Sequence, residues 1–221
     1  MIEVQGVSKT YMVSGQRFTA TDNVTLRVER GERVAIVGHS GSGKTTLLSM
    51  MGGLTRPNSG IVRIADTDIW TMDDNQRSEF RNRTISFIYQ FASLIPTLTA
   101  LENILLPSAF GVDPAGDTEK EAKDLLARVG LQDKMNFVPS QLSGGQQRRV
   151  AIARAFINHP QIVLADEPTG DLDEETEKEI IQLFRAMNQD HKTTFVIVTH
   201  EQQIAASADR QLHMKDGKLL D

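Results

Sequence analysis

The 221-residue chain contains no cysteine, no surplus of positive charge and no long hydrophobic run. Without cysteine it can form neither disulfide bonds nor thiolate metal sites. Its formal net charge of −5 argues against a nucleic-acid partner. No apolar run approaches the ~20 residues that a bilayer-spanning helix needs. The first residues, MIEVQ, also lack the basic and apolar regions of a signal peptide. We therefore expect a cytoplasmic protein.

The composition that remains is that of an ordinary soluble globular protein. Hydrophobic residues make up 39% of the chain and charged residues 24%, which excludes a disordered or fibrous class. A chain of 221 residues is long enough for one large domain or for one domain with an inserted lobe.

Residues 38–46 fit the phosphate-binding template G-x-x-x-x-G-K-[ST]. An apolar segment, 33–37, precedes them and predicts a buried strand, and residues 46–51 predict a helix. In such a loop backbone N–H groups turn toward a phosphate, and the helix N-terminus adds partial positive charge. Lys44 would reach the β- and γ-phosphates, and the Thr45 hydroxyl would hold Mg²⁺. The predicted nucleotide-binding residues here are Gly38, His39, Ser40, Gly41, Ser42, Gly43, Lys44, Thr45 and Thr46.

A second phosphate-linked element is the apolar segment 162–165, which is followed by Asp166 and Glu167. In open α/β sheets, ligands gather at the carboxyl ends of the strands, so both carboxylates are expected near the nucleotide. Asp166 is predicted to hold Mg²⁺. Glu167 points to the other side of the strand and is predicted to act as the general base on the attacking water.

A third element, Leu142-Ser143-Gly144-Gly145-Gln146, opens a predicted helix. Ser143 can cap this helix, and the two glycines leave its first N–H groups accessible to an anion. The chain thus has two phosphate-receptive helix starts but one lysine-bearing loop. A two-fold dimer would place Ser143, Gly144 and Gly145 of one chain over nucleotide held by Lys44 of the other.

Hydrophobic spacing predicts an α/β core that is interrupted by a helical lobe at about 91–158. Strands are predicted at 2–7, 24–28, 33–37, 61–64, 85–89, 162–165 and 194–199. Helices are predicted at 44–51, 101–106, 119–129, 144–158, 174–188 and 202–208. The polar segment 11–22 is interpreted as a hairpin connection, and residues 215–218 as a closing hairpin turn.

These motifs, in this order, resemble the ATP-binding subunits of ABC transporters, and the resemblance covers essentially the whole chain. It implies an α/β fold in which a RecA-like P-loop NTPase core carries an antiparallel β-subdomain and an inserted helical subdomain. The single domain, 1–221, would divide into a core at 1–90 and 159–221 and a helical subdomain at 91–158. ATP and Mg²⁺ are the implied cofactors.

The resemblance also assigns roles to individual residues, and residues 142–146 match its LSGGQ signature sequence. Gln90 matches the glutamine that contacts Mg²⁺ and the attacking water, and His200 matches the histidine that reaches the γ-phosphate. Tyr11 matches the aromatic residue that stacks on adenine, with Phe18 as a rival. Residues 169–173 match the D-loop, in which Asp173 takes the dimer-contacting position and Asp171 stands where related chains often have asparagine.

In full, the expected catalytic residues are Lys44, Gln90, Glu167 and His200. The expected metal ligands are Thr45, Gln90 and Asp166. The expected nucleotide-binding residues outside the loop at 38–46 are Tyr11, Gln90, Ser143, Gly144, Gly145 and Gln146.

Finer features narrow the resemblance to ATPases of the lipoprotein-releasing and macrolide-exporting type. The segments that carry it are residues 87–91, 94–103, 164–170 and 210–217. It implies a homodimer that forms on ATP binding and powers a separate integral membrane permease. The chain would lie at the inner face of the cell membrane and contact it only through that permease. The alternative is a non-transporting ABC ATPase that regulates cell division or envelope remodelling through a membrane partner.

Two further expectations concern surfaces. The mostly apolar loop 91–98 is predicted to be exposed and to dock the membrane partner. Arg148 and Arg149 are interpreted as solvated residues on a helix surface, with contact to a partner as the alternative.

Overall fold

The computed structural model describes residues 1–110, 117–170 and 172–220. Its strands are β1 (Ile2–Val13), β2 (Gln16–Val28), β3 (Arg33–Val37), β4 (Ser59–Ile64), β5 (Thr67–Asp68), β6 (Ile85–Ile88), β7 (Ile162–Asp166), β8 (Thr194–Thr199), β9 (Arg210–Lys215) and β10 (Lys218–Leu220). Its α-helices are α1 (Lys44–Met51), α2 (Asp74–Thr84), α3 (Ala100–Leu105), α4 (Thr118–Arg128), α5 (Gly144–Arg154), α6 (Glu174–His191) and α7 (Gln202–Ala206). Short 3-10 turns lie at Leu106–Phe110, Gln132–Lys134 and Pro139–Gln141.

The central layer is a sheet with the strand order β10-β9-β3-β8-β7-β6. Strands β9, β3, β8, β7 and β6 run parallel, and only β10 pairs antiparallel, through its hairpin with β9. Strands β3, β7 and β8 are short apolar runs, as expected for strands covered on both faces, whereas β9 is mostly polar and exposed. Because the parallel strands run in one direction, their carboxyl ends meet at one edge of the sheet.

A second sheet, with the order β2-β1-β4-β5, is antiparallel throughout. Its first hairpin is longer than predicted, because β1 continues to Val13 and β2 begins at Gln16. The connection is therefore only Ser14-Gly15, and both residues have positive φ, 50° and 80°. Two residues of positive φ match the twist of a two-residue hairpin, so the polar segment 11–22 forms paired strand instead of loop.

Alternating side chains of the parallel strands supply two separate hydrophobic cores. On one face, Leu164 and Val196 pack with α1 and with the antiparallel sheet. On the other face, Val163 and Phe195 pack with α6 and with helices α3, α4 and α5. The parallel sheet is thus the middle layer, and the fold class predicted from the sequence is confirmed.

The inserted helices begin where polar residues cap them. Thr99 caps α3 and Ser143 caps α5, and in each case the residue three positions on, Glu102 or Gln146, completes a capping box. The apolar faces of these helices join the same buried cluster as α6, which includes Ile104, Leu126 and Val150. The lobe is therefore packed continuously onto one face of the sheet.

Three helices differ locally from the sequence prediction. Helix α2 was not predicted, because it is almost entirely polar and has no apolar stripe. Its signal is the capping box formed by Asp73 and Gln76. Helix α5 ends at Arg154, four residues before the predicted end, and α7 ends at Ala206, two residues before its predicted end.

Within the described ranges no helix combines the length and apolar character needed to cross a bilayer.

Candidate nucleotide-binding site

A cavity of about 480 Å³ opens at the edge where the parallel strands end. The loop after β3, the end of β7 and the residue after β8 contribute its walls, and β2 covers one side. The lining residues are Phe18, Ala20, His39, Ser40, Gly41, Ser42, Gly43, Lys44, Thr45, Thr46, Gln90, Asp166, Glu167 and His200. The structure therefore gathers most of the predicted site residues into one cavity.

The loop before α1 lies so close to neighbouring backbone that two of its positions accept only glycine. A Cβ at Gly43, whose φ is 101°, would overlap the carbonyl oxygen of Ala20 on β2. A Cβ at Gly38 would overlap the carbonyl oxygen of Met214 on β9. The amide of Gly217 also donates to the carbonyl of Ser42 at 3.0 Å. The loop is consequently held between the two sheets.

Lys44 lies inside this loop and is only 7% exposed. Its ammonium group donates to the carbonyl oxygens of Gly38 at 2.7 Å and His39 at 3.0 Å. These bonds keep a compact positive charge within the loop, beside the N-terminus of α1, where anionic phosphate oxygens are stabilised. Gly38 does not line the cavity itself, but its carbonyl oxygen holds the ammonium group of Lys44, which does.

Thr45 and Asp166 form the part of the cavity that suits a hard cation. The Thr45 hydroxyl donates to Asp166 Oδ1 at 3.2 Å. Burial raises the pKa of the Asp166 carboxyl, and donation from Thr45 offsets part of that effect. Hydroxyl, carboxylate and amide oxygens are ligands that Mg²⁺ prefers, and the exposed Gln90 lines the same cavity. The residues present therefore fit a magnesium ion.

The Glu167 carboxylate is held by three donors at the end of β8. It accepts from the Thr199 hydroxyl at 3.0 Å and from the His200 amide at 3.3 Å, and it contacts His200 Nδ1 at 2.9 Å. This last contact is the main reason that the pKa of His200 is raised. The carboxylate side chain is 13% exposed, so it still reaches the cavity.

The backbone of Glu167 is itself in an uncommon conformation, with φ of 47°. Its amide donates to the carbonyl of Val198 at 2.9 Å, which continues the pairing of β7 with β8 by one residue. Left-handed backbone at a residue other than glycine is unfavourable and concentrates at functional sites. The turn directs the Glu167 side chain toward His200.

The two candidates for adenine stacking lie directly opposite each other on β1 and β2. Phe18 is 49% exposed and lines the cavity. Tyr11 does not line it, and the ammonium group of Lys9 sits 5.4 Å from the centre of its ring. Directly paired residues project from the same face of a sheet, so the difference lies in the strand: Phe18 on β2 lines the cavity, whereas Tyr11 on β1 does not.

The signature residues lie away from the cavity of their own chain. Ser143, Gly144, Gly145 and Gln146 form the first turn of α5, and none of them lines the cavity. Ser143 accepts from the Gln146 amide at 3.3 Å, so the predicted cap is present. A Cβ at Gly144 would meet no atom within 4 Å, so this helix start opens onto free space.

One residue near these motifs, Arg148, behaves differently from the expectation. Arg148 was interpreted as a solvated surface residue, and this is wrong, because it is buried and 7% exposed. Its guanidinium donates to the backbone carbonyls of Gln90 and Gly170. Asp173 caps α6 by accepting from the amides of Glu175 and Thr176. Asp171 lies outside the described residues.

This cavity, with a phosphate loop, the Thr45–Asp166 pair and the Glu167 carboxylate at the sheet edge, fits a nucleoside triphosphatase of the P-loop class. Residues 21–170 match the protein family described as ABC transporter. The chain belongs to this family, and it is an ATP-binding and ATP-hydrolysing subunit, as the sequence predicted.

Individual relatives agree with this assignment. The lipoprotein-releasing system ATP-binding protein LolD of Syntrophotalea carbinolica is 42% identical over 219 residues, which are 99% of this chain and 96% of that protein. The macrolide export ATP-binding/permease protein MacB of Rhodopirellula baltica is 43% identical over 98% of this chain. This chain spans about a third of that relative, 32% of its length.

A solved structure shows the same fold in a dimer. The ATP-binding cassette MJ0796, in a post-hydrolysis state bound to ADP and Pi, matches with a TM-score of 0.94 and 40% identity. The match covers 100% of this chain and 97% of that one. These similarities support a transporter subunit over the division-regulating alternative.

We predict that the Glu167→Gln substitution lowers the pKa of His200. The amide removes the negative charge that favours the imidazolium, while the shape of the side chain is kept. In the native chain the charged contact is present below the raised pKa of His200 and is lost as the pH rises through it. An NMR titration of the His200 ring protons measures the change.

The matched control is Glu201→Gln, because Glu201 raises the pKa of His200 only as a minor cause. It should lower that pKa by less than Glu167→Gln does. An equal or larger effect of Glu201→Gln would contradict the assigned pairing.

Proposed function

We propose that this chain hydrolyses Mg-ATP as a dimer and thereby powers a separate membrane permease of the lipoprotein-releasing or macrolide-exporting type. The observation that carries the proposal is the separation of two phosphate-receptive helix starts within one chain. Lys44 and the carboxylates line one cavity, whereas the N-terminus of α5 is open and lies outside it. A two-fold dimer brings the N-terminus of α5 of one chain to the cavity of the other, so that each chain completes the site of its partner.

In this proposal the binding roles follow from the geometry of the cavity. Lys44 and the N–H groups of the loop hold the β- and γ-phosphates, and Ser143 with the amides of Gly144 and Gly145 meets the γ-phosphate from the partner chain. Thr45, Asp166 and Gln90 hold Mg²⁺, which when bound supplies positive charge to the phosphate oxygens. Phe18 stacks on the adenine ring, since it lines the cavity and Tyr11 does not.

The catalytic roles fall to the pair at the ends of β7 and β8. Glu167 accepts the proton of the attacking water, and its carboxylate is held ready by Thr199 and by the His200 amide. The His200 side chain, 67% exposed, contacts the same carboxylate and extends toward the γ-phosphate position. Gln90, which lines the same cavity, orients the water.

The membrane partner is proposed to dock on a patch formed by Leu54, Tyr89, Phe91 and Ile95, which we call the docking patch. These side chains are 47%, 44%, 75% and 41% exposed. Leu54 and Tyr89 line a cleft of about 350 Å³ together with two cations, Arg81 and Arg154. Such a surface fits an apolar segment that carries an acidic residue, as a cytoplasmic loop of a permease would.

The docking patch is connected to the nucleotide cavity through the chain itself. Phe91 follows Gln90 directly, and the side chain of Asn103 holds the backbone of Ile95 by bonds of 2.8 and 3.2 Å. A shift of Gln90 toward a bound γ-phosphate therefore moves the patch. We propose that the chain lies at the inner face of the cell membrane, because its relatives serve membrane export and lipoprotein release. Residues 91–158 are proposed as its helical subdomain.

We predict that Glu167→Gln binds ATP but hydrolyses it about 10²- to 10⁴-fold more slowly, because the amide accepts no proton. The variant should accumulate as an ATP-bound dimer, which light scattering with Mg-ATP detects. Adding Lys44→Ala should abolish both binding and dimerisation. Adding Ser143→Arg should leave binding intact and prevent dimerisation. Hydrolysis by Glu167→Gln at the native rate would contradict the role of Glu167.

We further predict that replacing Phe91 and Ile95 by Glu detaches the chain from its permease, because the contact would then have to desolvate two charges. Leu94 is kept, since it packs against the buried core. The control is Met12→Glu, which is as exposed as these residues but lies on the β1–β2 hairpin.

Co-purification with the permease, measured beside ATP titration of the isolated chain, tests this prediction. The double variant should lose at least about tenfold in affinity for the permease and keep its affinity for ATP. The Met12→Glu control should keep its affinity for the permease. If the double variant still bound the permease with native affinity, the proposed docking role of Phe91 and Ile95 would be contradicted.

A further inference from the structure

One buried guanidinium connects three segments that serve different parts of the nucleotide chemistry. Arg148 lies on α5, five residues after Ser143, and is 7% exposed. One of its terminal nitrogens donates to the carbonyl of Gly170, which follows β7, and the other donates to the carbonyl of Gln90, which follows β6. The signature helix, the Gln90 segment and the D-loop therefore meet at a single side chain.

The chemistry of arginine suits this junction. A buried cation is unfavourable unless its donors are satisfied, so the two carbonyls must stay within reach of the guanidinium. The planar group presents its donors in a fixed fork, whereas an ammonium group is a point charge on a flexible stem. The distance between the carbonyls of Gln90 and Gly170 is thus constrained by Arg148.

A second arginine on the same helix strengthens the connection. Arg154 donates to the carbonyls of Ala92 at 3.1 Å and Ser93 at 2.9 Å. The segment 90–93 is therefore attached to α5 at both of its ends. Because a helix moves as a rigid element, displacement of Gln90 is transmitted to Ser143 at the start of the same helix.

We propose that Arg148 is a positioning residue that couples the two nucleotide sites of the dimer. Gln90 lines the cavity of its own chain, whereas Ser143 of that chain meets the nucleotide of the partner. Arg148 joins the two, so γ-phosphate in one site biases the closure of the other. This inference rests on the shared sites of the proposed function, and it adds the residue that carries the coupling.

The neighbouring arginine offers a matched control. Arg149 donates to the carbonyl of Val129 at 3.2 Å and pairs with Glu179 at 3.3 Å. It joins α5 to α4 and α6 and contacts neither Gln90 nor Gly170 in the described structure. Its removal should affect stability without affecting communication between sites.

The experiment compares Arg148→Met, Arg148→Lys and Arg149→Met with the native chain. Steady-state hydrolysis gives the Hill coefficient for ATP and kcat, titration of the isolated chain gives ATP affinity, and thermal unfolding reports the fold. The native dimer should show a Hill coefficient approaching 2, the number of its sites. In both Arg148 variants the Hill coefficient should fall toward 1 and kcat should fall about 2- to 30-fold. Their ATP affinity should stay unchanged.

If Arg148→Met unfolds, Arg148→Lys still tests the inference, because lysine keeps the positive charge but lacks the planar pair of donors that joins the two carbonyls. Native cooperativity in a folded Arg148→Lys, or an equal loss in Arg149→Met, would overturn the inference. If the native chain is non-cooperative while Glu167→Gln still dimerises with ATP, the inference fails and the proposed function stands. If Glu167→Gln does not dimerise, the proposed function fails and this inference with it.

Discussion

The close approach of backbone at Gly38 and Gly43 is the constraint on which the rest of the site depends. Met214 of the parallel sheet and Ala20 of the antiparallel sheet occupy the space where side chains at those positions would lie. Only glycine fits at these two positions, and the loop between them buries Lys44 against its own carbonyls and leads directly into α1. Phosphate recognition in this chain is a consequence of how the two sheets pack.

The same packing sets the positions of the carboxylates. The two hydrophobic cores hold opposite faces of β7 and β8, so the ends of these strands are fixed relative to the loop after β3. Asp166 then reaches Thr45, and the left-handed turn at Glu167 sends its carboxylate toward Thr199 and His200. A hydroxyl–carboxylate pair and a second carboxylate thereby line one cavity, and the N-terminus of α5 opens outside it.

Local motifs allowed much of the fold and site to be predicted from the sequence, and contacts between distant segments account for the rest. The loop at 38–46 and the strand before Asp166 carry their signals within a few residues. Helix α2 has only a capping box as its signal, and the burial of Arg148 has none, because its partners are carbonyls at positions 90 and 170. The choice between Tyr11 and Phe18 depended on which strand of the hairpin borders the cavity, and strand pairing alone does not reveal it.

The central claim is that each nucleotide is held by two chains. A crystal structure of the Glu167→Gln chain grown with Mg-ATP tests it most directly. The account predicts a two-fold dimer in which Ser143 and the Gly145 amide of one chain lie within about 3.2 Å of the γ-phosphate held by Lys44 of the other. A γ-phosphate contacted by one chain only, with the N-terminus of α5 facing solvent, would contradict it.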